Sequence, residues 1–156
     1  MNQGFNFANK VVLITGGSSG IGRATSMNTL GDAEVCLVDD DPSVLRSMQY
    51  LLASDNIRAR AFNKPEEFLV HAANHPVPVV VTDIWMEGVT GLEILARMCA
   101  ISPRPRVIVI TARDDLAARA TAMQIGPAAF FIKPFNDEQF LAAVRGALAQ
   151  ARSAQR

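Results

Sequence analysis

The chain has 156 residues, with 15 basic and 15 acidic side chains and no net charge. That length predicts about one domain, with enough chain to bury a core without disulfide or metal staples. An apolar share of 49% against 19% charged excludes a disordered chain, and the charge balance speaks against electrostatic binding to nucleic acid or a membrane surface.

No apolar run is long enough to span a bilayer. Met1 to Lys10 lacks the basic-then-apolar layout of a secretory signal. Cys36 and Cys99 are too few for a disulfide framework or a zinc site, and both sit in apolar stretches. The expectation is a cytoplasmic protein with two reduced thiols.

Short apolar runs alternate with segments of helical period. Strands are predicted over Val11–Thr15, Glu34–Val38, Arg58–Phe62, Val77–Thr82, Val107–Thr111 and Ala128–Ile132. Their content of Val, Ile and Phe suits parallel strands buried on both faces. Helices are predicted over Ile21–Leu30, Pro42–Ala53, Pro65–Asn74, Gly91–Ala100, Asp114–Ile125 and Asp137–Ala149. Pro42 after Asp41 is a good helix start, with Asp41 as N-cap, and Gly126-Pro127 is a stop. The alternation predicts an α/β open sheet. Residues 1–31 form a first unit, 32–150 the main domain and 151–156 a polar tail.

In such sheets, function collects beyond the carboxyl ends of the strands. Val38 leads into Asp39, Asp40 and Asp41; Thr82 into Asp83; Ile110 into Thr111; Ile132 into Lys133. Carboxylates, a hydroxyl and a lysine therefore share one sheet edge. Oxygen-only ligands suit Mg²⁺. An aspartate beside that ion can be the nucleophile toward a phosphoryl group. An ammonium and a hydroxyl can hold the remaining oxygens. Acyl transfer is not suited, because no Ser or Cys lies near a His on this edge.

The runs "VDDDPSVL", "VVTDIWMEGVTGLEIL", "VIVITA" and "FFIKPF" carry a resemblance. From about Glu34 to Leu148 the chain resembles the receiver domain of bacterial two-component response regulators. The resemblance implies a flavodoxin-like doubly wound parallel sheet of order 2-1-3-4-5. It implies that Asp83 is the phosphoacceptor. Asp39, Asp40, Asp83 and the backbone carbonyl of Trp85 would hold Mg²⁺ or Mn²⁺. Thr111 would be the switch hydroxyl, Lys133 the phosphate-contacting lysine and Phe130 the aromatic switch, with a cis bond before Pro134. The phosphoryl donor would be a sensor histidine kinase or phosphotransfer protein. The surface of residues 114–149 would then bind a partner or a second copy, with no direct contact to nucleic acid or membrane. Such a receiver is not a turnover enzyme, since it gains and loses phosphoryl on its own aspartate. Two departures stand out: Glu87 where proline is common, and Pro127 where a small flexible residue is usual.

The run "NKVVLITGGSSGIGRAT" resembles the opening of short-chain dehydrogenases/reductases. Gly16, Gly20 and Gly22 would cradle a pyrophosphate in a Rossmann-like βα unit. The rest of that family's machinery is missing. Tyr50, the single tyrosine, is followed by Leu51, Leu52, Ala53 and Ser54, so the Tyr-x-x-x-Lys pair is absent. One βα unit offers half a pyrophosphate site, and NAD(P) is not expected as a cofactor. The alternatives to a receiver are an NAD(P)-binding oxidoreductase or an inert chimera of the two.

Blander readings attach to other residues. His71 and His75, four apart on one helix, read as a solvated face rather than a metal pair. Met86, Met98 and Met123 read as core gap-fillers. Trp85, the single tryptophan, is expected to be partly exposed and a useful optical reporter.

Overall fold

A computed structural model describes residues 34–154. The expected strand Val11–Thr15, the helix Ile21–Leu30 and the glycines Gly16, Gly20 and Gly22 lie outside the described residues. Within them, five strands alternate with five helices. In chain order these are β1 (Val35–Val38), α1 (Pro42–Ala53), β2 (Ala59–Phe62), α2 (Pro65–Asn74) and β3 (Val79–Asp83). They continue as α3 (Gly91–Cys99), β4 (Arg106–Thr111), α4 (Leu116–Ile125), β5 (Ala129–Ile132) and α5 (Asp137–Ala154). The sheet is parallel throughout, with order β2-β1-β3-β4-β5. This is the flavodoxin-like doubly wound sheet, order 2-1-3-4-5, that the resemblance implies.

Strand alternation divides the core into two layers. Val35, Leu37, Val79, Val81, Ile108, Ile110 and Phe131 face α1 and α5, meeting Leu45, Leu52, Phe140 and Leu141. Cys36, Val38, Val80, Val107, Val109 and Phe130 face the other way, onto Phe68 of α2, Ile94 and Leu95 of α3, and Ala118 and Ala122 of α4. Cys36 and Cys99 are free thiols. Burial pushes the Cys36 thiol up to about 11, which keeps it protonated and unreactive.

Local chemistry sets the helix starts. The Asp41 side chain accepts from the Ser43 N–H at 2.9 Å, with Pro42 in the first turn. Thr90 accepts from the Glu93 N–H and caps α3. Asp115 accepts from Ala118 and caps α4, so that helix begins at Leu116 rather than Asp114. Gly126, at φ 101°, ends α4 in the left-handed region.

Three expectations are corrected. The strand expected from Val77 starts at Val79, because Pro78 has no N–H to give, although its carbonyl accepts from Arg106. The last helix runs to Ala154 instead of Ala149, so residues 151–154 are helical rather than a tail. Ala147, Leu148 and Ala151 are buried and continue its inner face, and Arg152 pairs with Glu34 at 3.3 Å. Met123 is 54% exposed on the outer side of α4 and fills no gap, whereas Met86 and Met98 are buried. Among the described residues, no helix is long and apolar enough to cross a membrane.

Candidate functional site

The parallel sheet brings its strand ends to one pole. Asp39 follows β1, Asp83 ends β3, Thr111 ends β4 and Lys133 follows β5. One oxygen each from Asp39, Asp40 and Asp83 lies within 4.8 Å of the others. Burial decreases across the cluster: Asp39 is buried, Asp83 half-buried and Asp40 exposed.

Asp39 is held on two sides. Its Oδ1 accepts from the Asp41 N–H at 2.9 Å, and its Oδ2 lies 3.6 Å from Lys133 Nζ. Burial raises its carboxyl above the usual range, against the pull of that N–H and of Lys133. Asp83 is pushed up to about 6, first by burial and then by the charge of Asp39. The Lys133 ammonium and the N–H groups of Ile84 and Trp85 oppose that rise. The Oδ1 of Asp83 is buried and has no hydrogen-bond partner.

Such an arrangement asks for a cation. Three carboxylates with one positive neighbour carry excess negative charge, and an orphaned buried oxygen is costly. The donors are all hard oxygens, with no imidazole or thiolate among them. That set fits Mg²⁺ or Mn²⁺ and does not suit zinc.

Thr111 reaches the same pole, but its hydroxyl is engaged by its own loop. Its Oγ1 accepts from the Arg113 N–H at 3.1 Å and donates to the Arg113 carbonyl at 3.2 Å. Phe130 is buried in the second core layer, with the Arg119 guanidinium 5.7 Å from its ring centre. Trp85 is half-buried, in keeping with partial exposure, and its Nε1 is buried without a partner. Glu87 is exposed, on the turn that contains Gly88 at φ 83°. The Lys133–Pro134 peptide is cis. His71 lies on α2 and His75 just past its end, in extended backbone rather than on the same helix, and the two rings stack with centres 4.4 Å apart.

Two supporting residues are not evident from sequence reasoning. A methyl group on Gly91 would overlap the Asp83 carbonyl, so α3 packs directly beneath the phosphoacceptor candidate. The Gly91 N–H donates to the Ile84 carbonyl at 2.9 Å. Thr82 is buried and donates its hydroxyl to the Asp83 carbonyl at 2.9 Å. The Thr90-x-x-Glu93 capping pattern marks the start of α3 in the sequence, but not how closely it approaches β3.

The chain is similar to known proteins in sequence and in fold. The response regulator receiver domain profile matches residues 35–145. The chain is 35% identical over 117 residues to the transcriptional regulatory protein FixJ of Azorhizobium caulinodans, covering 75% of this chain and 56% of FixJ. It spans about half the length of the curated relatives it matches. A receiver protein structure from Burkholderia phymatum is 36% identical with a TM-score of 0.66, covering 76% of this chain and 96% of that one. The beryllofluoride-activated NtrC4 receiver domain dimer is 27% identical with a TM-score of 0.69, over 75% of this chain and 97% of that one. With the sheet order, the strand-end carboxylates and these likenesses together, the chain belongs to the response regulator receiver domain family.

Proposed function

We propose that Asp83 is the phosphoryl acceptor of this receiver. The observation that carries the reading is the Asp39–Asp40–Asp83 cluster, with a buried, unpartnered Asp83 oxygen and Lys133 paired to Asp39. A carboxylate oxygen of Asp83 forms a bond to phosphorus. The bond from phosphorus to the donor breaks, and its electron pair leaves with the donor. That donor is a phosphorylated histidine of a sensor kinase or phosphotransfer protein, or acetyl phosphate in the laboratory.

Asp39, Asp40, Asp83 and the Trp85 backbone carbonyl are the residues proposed to hold Mg²⁺ or Mn²⁺. Bound there, the ion would screen the incoming phosphoryl charge. Lys133 supplies a fixed cation for a phosphoryl oxygen and restrains Asp39. Thr111 is the switch hydroxyl: it leaves the Arg113 backbone and donates to a phosphoryl oxygen. Phe130 repacks with it as the aromatic part of the switch. The added charge of nearly two units shifts the balance between two packings of this region.

The output is proposed to be protein contact through α4, β5 and α5, with a partner or a second copy. Leu116 and Met123 are exposed on α4, and a relative of this fold is a dimer. No direct contact with nucleic acid is proposed. Residues 8–30 are proposed to be a passenger of the switch, because Tyr-x-x-x-Lys is missing.

Intact mass after incubation with acetyl phosphate and Mg²⁺ tests the reading, beside Asp83→Asn. One phosphoryl group on the wild type and none on the variant is expected. Equal uptake by both proteins would overturn the assignment of Asp83.

A further inference from the structure

Thr82 on β3 is a polar side chain in an apolar layer. It is fully buried, and its neighbours across the sheet are Val38 on β1 and Val109 on β4. Strand alternation puts it on the face of Val80 and Ile84, the layer that holds Ile94 and Leu95 of α3. Valine has the same shape and would suit that place. A hydroxyl there is costly unless it finds a partner. It finds one in the Asp83 carbonyl, at 2.9 Å.

The effect of that bond follows from the planarity of the peptide. The C=O of one residue and the N–H of the next form one rigid unit. The Asp83 carbonyl belongs to the same unit as the Ile84 N–H. Its oxygen takes the Thr82 hydroxyl, and a methyl group on Gly91 would overlap it. The Ile84 carbonyl belongs to the same unit as the Trp85 N–H. It takes the Gly91 N–H at 2.9 Å, a donor that the first turn of α3 leaves spare. Both units are therefore held from their carbonyl ends. Their N–H ends are the two that oppose the rise of the Asp83 carboxyl.

We propose that Thr82 is a positioning residue for phosphoryl transfer: its buried hydroxyl, together with Gly91, aims the Ile84 and Trp85 N–H groups at the Asp83 carboxylate. The proposal rests on Asp83 being the acceptor. N–H groups fixed in advance hold the attacking carboxylate in one orientation before the donor arrives. Thr82 has no exposed surface, so it meets neither donor nor ion and acts through the backbone alone.

The test compares Thr82→Val and Thr82→Ser with the wild type in the full chain. Phosphoryl uptake from acetyl phosphate with Mg²⁺ is followed by intact mass, the backbone amides by NMR, and stability by thermal melting. Thr82→Val removes the hydroxyl and keeps the shape. It should slow uptake about tenfold, short of the loss of a whole donor, and move the Ile84 and Trp85 amide resonances. Thr82→Ser keeps the hydroxyl and gives up a buried methyl. It should melt lower than the wild type, yet take up phosphoryl at the wild-type rate with those two resonances in place. A merely structural role would make the rate follow stability, and the serine variant would slow as well. Wild-type uptake by Thr82→Val would overturn the proposal. So would equal slowing of both variants, or unmoved Ile84 and Trp85 amides in Thr82→Val. Equal uptake by Asp83→Asn is a different result: it would remove Asp83 as the acceptor, and the proposed role of Thr82 with it.

Discussion

The guanidinium of Arg113 lies over the ring of Trp85, 4.5 Å from its centre. The same Arg113 holds the Thr111 hydroxyl with its backbone N–H and carbonyl. One residue therefore touches the residue two after Asp83 and the residue at the end of β4. A cation over an indole contributes on the order of 0.5–1 kcal/mol when exposed. Arg113→Ala should uncover Trp85 and move its emission to longer wavelength, with stability lowered by less than about 1 kcal/mol. An unchanged emission maximum would show that the stacking does not shield the ring.

The raised Asp83 carboxyl makes the metal-free protein sensitive to pH. A folded-state value of about 6 against an ordinary 3.8 means that the fold holds the proton more tightly than the unfolded chain does. Stability should therefore fall as pH rises from about 4 to about 6, then stay low. Asp83→Asn removes the charge that is costly to bury, and should be more stable than the wild type at neutral pH by about 2 kcal/mol. Asp39 is raised in the same direction, so the variant keeps part of the slope. Urea denaturation at acidic and neutral pH without divalent cations measures both. Added Mg²⁺ should stabilise the wild type more than the variant. A variant no more stable at neutral pH would mean that Asp83 is not strained by burial.

Lys133 is the only cation in an ion pair with the cluster among the described residues. Lys133→Met should slow phosphoryl uptake from acetyl phosphate at least tenfold, because a fixed charge near the transferred group is lost. The time course of intact mass decides it; an unaltered rate would restrict Lys133 to a structural role.

Gly91→Ala places a methyl group against the Asp83 carbonyl. Backbone cannot yield as a flexible side chain can, so the change should cost about 1–3 kcal/mol. Phosphoryl uptake should slow with it, since β3 and α3 must separate. Denaturation and mass-detected uptake together check this, and a neutral effect on both would refute the close packing.

The end of α5 offers a further check. Ala151 is 5% exposed. Ala151→Asp should destabilise by about 2 kcal/mol by burying a charge where the sequence suggests a tail. A melting temperature equal to that of the wild type would place residues 151–154 outside the core.

Why the placement of the candidate site residues is more legible than parts of the fold follows from the sheet. Asp39, Asp83, Thr111 and Lys133 are each fixed by a strand end, and strand ends are marked by where Val and Ile runs stop. The orientation of the Thr111 hydroxyl depends on the local backbone of Arg113, which no residue pattern encodes. The closeness of Gly91 to Asp83 is a tertiary contact between β3 and α3. The last turn of α5 is carried by alanines among Gln150 and Arg152, whose small apolar surface gives a weak periodic signal. Pro78 shifted the start of β3 by its missing donor, a rule visible in the sequence but outweighed there by Val77.

Pro127 and Pro134 flank β5 on either side, and the strand between them is the most apolar stretch at the edge of the sheet. Phe130 and Phe131 face opposite layers, and among the described residues β5 has β4 as its sole strand neighbour. A bare edge of that composition is a template for another chain to add a strand. Proline on each flank denies such a strand the donors it would need to lengthen the ladder. Pro127 and Pro134 thus confine any strand added at this edge to about the length of β5 itself.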